Sequence, residues 1–200
     1  RSGQLGGDLP CRVFSVSFSG ESSFEINVPA RRAGELFRRV LDRGNAFSIT
    51  PYGLEALDVL RIEKGHLSIG TEIDGRTTPG DLGLARMVSP RKTFVGASLL
   101  QRPALLRDDR LQLVGLAPAD GSSAIPVAAQ LCARPWQAGE IQPSLGRLTA
   151  AVHSPTLDQP IALALLQGGR QRHGETLWAV APIAQRSVKV TVTAPCFVDP

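Results

Sequence analysis

The run Val16–Ile26, VSFSGESSFEI, decides how the first part of the chain is read. Two strand-like segments flank Ser19–Ser23, and a carboxylate, Glu25, follows the turn inside the second segment. Gly20 can take a positive φ, and serine hydroxyls favour turns. From Arg12 onward Phe14, Val16 and Phe18 alternate with Val13, Ser15 and Ser17, the period of a half-buried strand. Phe24, Ile26 and Val28 make the apolar face of a second strand, with Glu25 and Asn27 opposite. The pattern predicts a hairpin with a loop of about five residues. A lone acid on the polar face of a strand is ordinarily solvated. The same position also suits a group that grips a polar ligand, and local chemistry leaves both open.

Working outward, the preceding RSGQLGGD, residues 1–8, shows no alternation and reads as a loop. Pro29 closes the hairpin. Residues 31–43 carry Ala33, Leu36, Phe37, Val40 and Leu41 on one helical face, with arginines outside and Gly44 as the stop. A second helix is expected from Thr50 as N-cap and Pro51 at the first helical position to Lys64-Gly65. It would bury Leu54, Leu57 and Leu60 and display Asp58 and Arg61 as an exposed ion pair. Thr78, Pro79 and Asp81 form a capping box that predicts a further helix start. Beyond Asp108-Asp109-Arg110 the character changes to short strands divided by Gly and Pro: LQLVGLA, GRLTAAVHS, the continuous apolar IALALLQ, ETLWAVA and SVKVTVTA. In the last, Val188, Val190 and Val192 face in. Near-regular short strands predict a small antiparallel barrel or sandwich. The fold class is therefore α+β: a hairpin and helix domain over residues 1–110, then an all-β domain over residues 111–200.

Two hundred residues with 42% hydrophobic content can bury a core without staples. The net charge of +4 is mild, and its nineteen arginines and three lysines are scattered. Only seven Phe, two Trp and one Tyr accompany them, so no basic surface interleaved with stacking aromatics awaits nucleic acid. Cys11, Cys132 and Cys196 are odd in number and widely spaced, which fits reduced thiols in a cytoplasmic protein and no structural metal. His66, His153 and His173 are equally dispersed. No apolar run approaches the ~20 residues of a membrane helix. No dinucleotide fingerprint, phosphate loop or nucleophile elbow is present. Gly168-Gly169, followed by Arg170 and Arg172, reads as a tight turn with a basic tip.

Several blocks, in order, carry a resemblance: FSGESSFEINVP, PYGLEALDVLRIEKGHLSIGTEIDGRTTPGDLGL, FVGASLL and HSPTLDQPIALALL. Together they resemble the folate-dependent aminomethyltransferase fold of the glycine-cleavage T-protein. Within it, the second block and SPTLDQPIALALLQGGRQRHGE are most similar to the alpha subunit of heterotetrameric sarcosine oxidase. The resemblance runs from Arg12 to Pro200 and implies that Arg1 is internal to a longer polypeptide, this chain being its C-terminal part.

The family motif is an aromatic, then Thr-Gly-Glu, then a glutamate seven residues after the aromatic that hydrogen-bonds the pterin of tetrahydrofolate. The resemblance places Phe18 at the aromatic, Ser19-Gly20-Glu21 at the turn and Glu25 at the pterin position. A carboxylate suits the task, accepting two parallel N–H bonds from the amino-pyrimidinone edge. Phe18 replaces the usual tyrosine, and Leu57 stands where glycine-cleavage enzymes carry a folate-holding arginine. Arg172 matches a later basic residue near the folate tail. The family's catalytic aspartate lies upstream of Arg1, so no catalytic residue is assigned and this chain alone is expected to be inactive. The resemblance implies tetrahydrofolate as ligand here, with FAD, FMN and NAD elsewhere in a heterocomplex of sarcosine oxidase type. That complex would demethylate an N-methyl amine oxidatively and pass the one-carbon unit on as 5,10-methylenetetrahydrofolate. Two alternatives stand beside it. One is a non-catalytic folate-fold scaffold of the iron–sulfur-assembly type, whose motif needs a cysteine where His66 stands. The other is an interaction domain that has lost folate binding, with the arginine-rich helix as an interface.

Overall fold

The structure is a computed structural model that describes residues 1–199. Two compact units result, Arg1–Leu60 and Arg61–Asp199.

The first unit is a three-stranded antiparallel sheet in the order β1 (Ser2–Leu5), β2 (Leu9–Ser15), β3 (Phe24–Asn27), followed by helix α1 (Ala33–Gly44). Half of the segment expected to be a loop at residues 1–8 is β1. Its residues are almost all exposed, so no hydrophobic alternation announces it, and backbone pairing alone holds it, from Ser2↔Arg12 to Leu5↔Leu9. Gly6 and Gly7, both at positive φ, supply the turn. Strand β2 stops at Ser15, short of the expected Phe18. The Ser17 hydroxyl accepts the Gly20 N–H at 2.8 Å, a local bond that draws the backbone away from the ladder. Pairing resumes with Ser15↔Phe24 across an eight-residue connection, residues 16–23.

Helix α1 ends at Gly44 as its sequence predicts, and Gly44 lies so close to Ile49 that a Cβ would fall 2.2 Å from Ile49 Cγ2. Two arginines of residues 31–43 do not stand free outside. Arg39 grips Asp8 through both oxygens, at 2.7 and 2.8 Å, and Arg32 spans Asp8 and Glu35. The hydrogen bond from Arg39, aided by that from Arg32, holds the Asp8 carboxyl down at about 2 despite some desolvation. Leu9 is the one fully buried large side chain of this unit among the described residues.

Helix α2 (Leu54–Lys64) begins three residues later than an N-cap at Thr50 predicts, with its first bond from Leu57 N–H to the Gly53 carbonyl. It closes in a Schellman arrangement: Gly65 N–H donates to Ile62 O and His66 N–H to Arg61 O, with Gly65 at φ +76°. Arg61 is not on the surface as expected: it is 4% exposed and bonded to the buried Glu72 at 3.1 Å. Glu63, also buried, accepts from Ser154 and Thr156 side chains, while its carbonyl accepts from Phe197 and Val198. The capping box at Thr78 forms both its bonds, Thr78 N–H to Asp81 at 2.8 Å and Asp81 N–H to Thr78 Oγ1 at 3.2 Å. No helix grows from it. Leu84 N–H closes on Pro79 O and Gly83 turns to positive φ, ending the coil after one turn.

Six antiparallel strands then close a barrel: β4 (Leu111–Pro118), β5 (Gln130–Cys132), β6 (Gly146–Ser154), β7 (Gln159–Gln167), β8 (Thr176–Ala181) and β9 (Arg186–Thr193), in the order β4-β7-β6-β5-β8-β9. Five match expected strands, and β5, only three residues long, is too short to show a period. Val188, Val190 and Val192 point inward as expected. The continuous apolar run of β7 has a cause: Ala162, Ala164 and Leu166 join the barrel interior, whereas Ile161, Leu163 and Leu165 pack outside with Ile62 and Leu82. A cluster of charges ties the preceding segment to the barrel. Asp81 receives Arg110 at 2.8 and 2.5 Å, Asp74 receives Arg76 and Arg147, and Leu113 N–H donates to Asp81 O.

At Gly146 a Cβ would meet Leu165 O at 2.2 Å, whereas at Gly75 it would meet nothing within 4 Å. Gly146→Ala is expected to lower stability in urea unfolding by about 1–3 kcal/mol, and Gly75→Ala to change it by no more than about 0.5 kcal/mol. A second expectation concerns acid. Burial pushes the Asp81 carboxyl up, but the hydrogen bonds from Arg110 and Thr78 outweigh it and leave it below the ordinary 3.8. A depressed native pKa contributes stability that is present above the unfolded value and is lost as pH falls through the folded one. Asp81→Asn is therefore expected to be less stable than the parent at pH 7 in urea melts, with the gap closing below about pH 4.

Candidate functional site

Strand register decides which side chains can act together. A five-residue turn would pair Phe18 with Phe24 and gather Phe14, Val16, Phe18, Phe24, Ile26 and Val28 on one face. The observed pairing, Ser15↔Phe24 and Phe14↔Glu25, is displaced by an odd number of residues, which exchanges the faces of one strand. Phe14 and Glu25 now share a face with the cross-strand pair Arg12↔Asn27, and Phe24 and Ile26 lie on the other with Val13. The result is a mixed surface: an aromatic ring, a carboxylate, a guanidinium and an amide.

These four residues line one pocket of about 650 Å³, together with Ser2 and Pro10 of the neighbouring strands. The Asn27 amide donates to Glu25 Oε1 at 2.7 Å and fixes the carboxylate, while Oε2 has no partner among the described residues. The Arg12 guanidinium likewise has no hydrogen-bond or ion-pair partner among the described residues. An acceptor and a donor therefore stand ready on a flat aromatic floor. This arrangement can hold a planar heterocycle that both donates and accepts along one edge.

The other two candidates are not among its lining. Phe18 sits in the connection between β2 and β3, 41% exposed. Arg172 belongs to the second unit, at the end of a 3-10 turn, Gly169–Arg172. The Gly-Gly tip is thus a short helical turn, not the expected exposed hairpin tip. Gly169 packs against Val114, Arg170 donates to the Gly80 carbonyl at 2.6 Å, and Arg172 makes a two-pronged pair with Glu175 at 2.7 Å in each prong. The hydrogen bond from Arg172 holds the Glu175 carboxyl below its usual range.

Sequence reasoning overlooked Arg12, Phe14 and Asn27 as companions of Glu25. The signal that could have found them is the serine at position 17, whose turn-forming hydroxyl ends the strand early and sets the register. Elsewhere, a cavity of about 610 Å³ in the second unit is lined mainly by apolar side chains, with Lys92 its one charged residue. A smaller one of about 160 Å³ holds Asp74 and Asp81, both already committed to arginines. No group of three or more potential metal ligands occurs among the described residues, and all three cysteines are free thiols. No helix among them is long and apolar enough to cross a membrane.

Comparison with known proteins finds two matched domains along the chain. Residues 1–92 match the GCVT N-terminal domain and residues 112–199 the glycine cleavage T-protein C-terminal barrel domain. The sarcosine oxidase subunit alpha of Rhizobium meliloti (strain 1021) is 39% identical over 197 residues, covering 98% of this chain and 20% of that protein. That of Corynebacterium sp. (strain U-96) is also 39% identical over the same share. The mitochondrial aminomethyltransferase of Gallus gallus is 34% identical over 185 residues, 90% of this chain and 44% of that one. The chain therefore spans about a fifth of the length of the sarcosine oxidase subunits it matches. The crystal structure of glycine cleavage system aminomethyltransferase T from Bartonella henselae superposes with a TM-score of 0.76 at 24% identity, over 94% of this chain and 49% of that one, a likeness of fold. Matched along nearly its whole length by the two domains of the glycine cleavage T-protein, and by sarcosine oxidase alpha subunits across both, the chain belongs to the aminomethyltransferase family.

Proposed function

We propose that this chain is the tetrahydrofolate-binding portion, at the C-terminal end, of a sarcosine oxidase alpha subunit-like protein. The observation that carries the proposal is Glu25 on the floor of the pocket in β2 and β3, its free oxygen beside an aromatic ring. The residues present fit a reduced pterin. The pocket has the size of small-molecule sites, and it combines a flat apolar surface with a few polar groups. Glu25 would accept from the ring N–H and amino group, Phe14 would lie against the ring, and Asn27 would hold the carboxylate in place. Phe18 would cover the site from the connecting loop, and Arg172 would face the folate tail, as the family resemblance implies.

Tetrahydrofolate, when bound, supplies the nitrogens that take up the one-carbon unit. In the whole assembly that unit would come from oxidative demethylation of an N-methyl amine, yielding 5,10-methylenetetrahydrofolate. FAD, FMN and NAD would reside elsewhere in the heterocomplex, whose other subunits are the partners of this chain, in the cytoplasm. No residue of this chain is assigned to the chemical step, so the chain by itself is inactive in this account. The similarity to sarcosine oxidase alpha subunits and aminomethyltransferases does not favour the scaffold alternative.

Calorimetric titration of the native protein with 5-formyltetrahydrofolate tests the assignment. Glu25→Ala is expected to weaken binding by about 1.5–3 kcal/mol, the loss of a charged hydrogen-bond partner. Affinity unchanged by that substitution would overturn the site.

A further inference from the structure

Arg12 has no role in the family motif, yet the register places it directly across from Asn27 and diagonally from Glu25, on the pocket side of the sheet. Diagonal neighbours on one face lie roughly 7–8 Å apart between Cα atoms, within reach of one planar ligand for side chains as long as Arg and Glu. Glu25 presents only acceptors, and Arg12 only donors. Asn27 spends one of its two amide protons on Glu25 and so orients the acceptor, while Arg12 brings the charged donor. Among the described residues no carboxylate pairs with the guanidinium, unlike those of Arg32, Arg39, Arg110 and Arg172, each committed to Asp or Glu.

We infer that Arg12 is the specificity-determining residue of this pocket, donating to the exocyclic carbonyl of a 2-amino-4-oxo heterocycle whose N–H and amino groups Glu25 accepts. This rests on the folate reading above and adds which edge of the ring is selected. An acceptor facing Glu25 is unfavourable, and so is an amino group facing Arg12. The pair therefore reads the alternation donor, donor, acceptor along the ring edge and disfavours a 2,4-diamino ring at the Arg12 end. A site built to satisfy both groups discriminates strongly, because the wrong ring leaves one of them desolvated and unpaired.

The probes are 5-formyltetrahydrofolate, which carries the 4-oxo group, and methotrexate, which carries a 4-amino group. Both end in the same glutamate tail, so any contact of Arg12 with the tail cancels in their affinity ratio. Dissociation constants are measured by calorimetry on the native protein, on Arg12→Ala and on Arg12→Gln, with thermal melts confirming that each folds; Arg12 is exposed, so both should. The ratio favouring the 4-oxo ligand is expected to fall about tenfold or more in Arg12→Ala and to be partly kept in Arg12→Gln, which retains a neutral donor. Glu25→Ala should weaken both ligands. An equal loss of both ligands in Arg12→Ala would mean a tail or general electrostatic contact, and would overturn the inference while leaving the folate site standing. No binding of either ligand to the native protein would overturn the folate reading and this inference with it.

Discussion

The barrel hangs on a strand that must be buried on both sides. In β7 one set of alternating side chains fills the interior and the other meets Ile62, Leu82 and Leu113. A strand with two apolar faces is stable only if something covers the outer one, and the end of α2 and the turn after Asp81 do so. This constraint explains the two buried acids nearby. Glu63 and Glu72 each fasten a piece of the outer cover, one to the β6–β7 turn and the other to Arg61. The bonds they accept offset the burial: Glu63 accepts from Ser154 and Thr156, and Glu72 Oε2 from Arg61, Ser68 and Thr71, while Glu72 Oε1 is buried without a partner.

The first unit obeys a different logic. Its cohesion comes from backbone pairing and from the web that joins Asp8 to Arg32 and Arg39, with Glu35 between the two arginines. With little apolar pressure to fix the hairpin, a single turn-forming hydroxyl, that of Ser17, is enough to choose the register. That choice brings Glu25 beside Phe14, Arg12 and Asn27. The pocket is thus a product of local turn chemistry, lined from within the first unit.

Much of the fold could be read from the residues. Strands with clean alternation, such as β9, and the strongly amphipathic α1 were visible because burial on one face leaves a period in the sequence. Elements without such a period escaped. Strand β1 is exposed at all but its last residue, β5 is three residues long, and the Thr78–Asp81 box makes its capping bonds without a helix behind it. A cap satisfies orphan N–H groups, but whether a helix continues depends on the residues after it, and Gly83 does not continue one. Of the residues lining the β2–β3 pocket, Glu25 was singled out by the sequence. Its companions were not, because alternation alone cannot say which face of one strand meets which face of the next.

The contrast between the units bears on how each responds to heat. Heat capacity of unfolding scales with the apolar surface that folding hides. The barrel hides a great deal, so its stability is a sharply curved function of temperature with a cooperative melt. The unit that carries Glu25 hides one large side chain completely, Leu9, and its free-energy curve is correspondingly flat. Such a segment has no sharp melting point of its own. The pairs around Asp8 are exposed, so ionic strength screens part of what holds it.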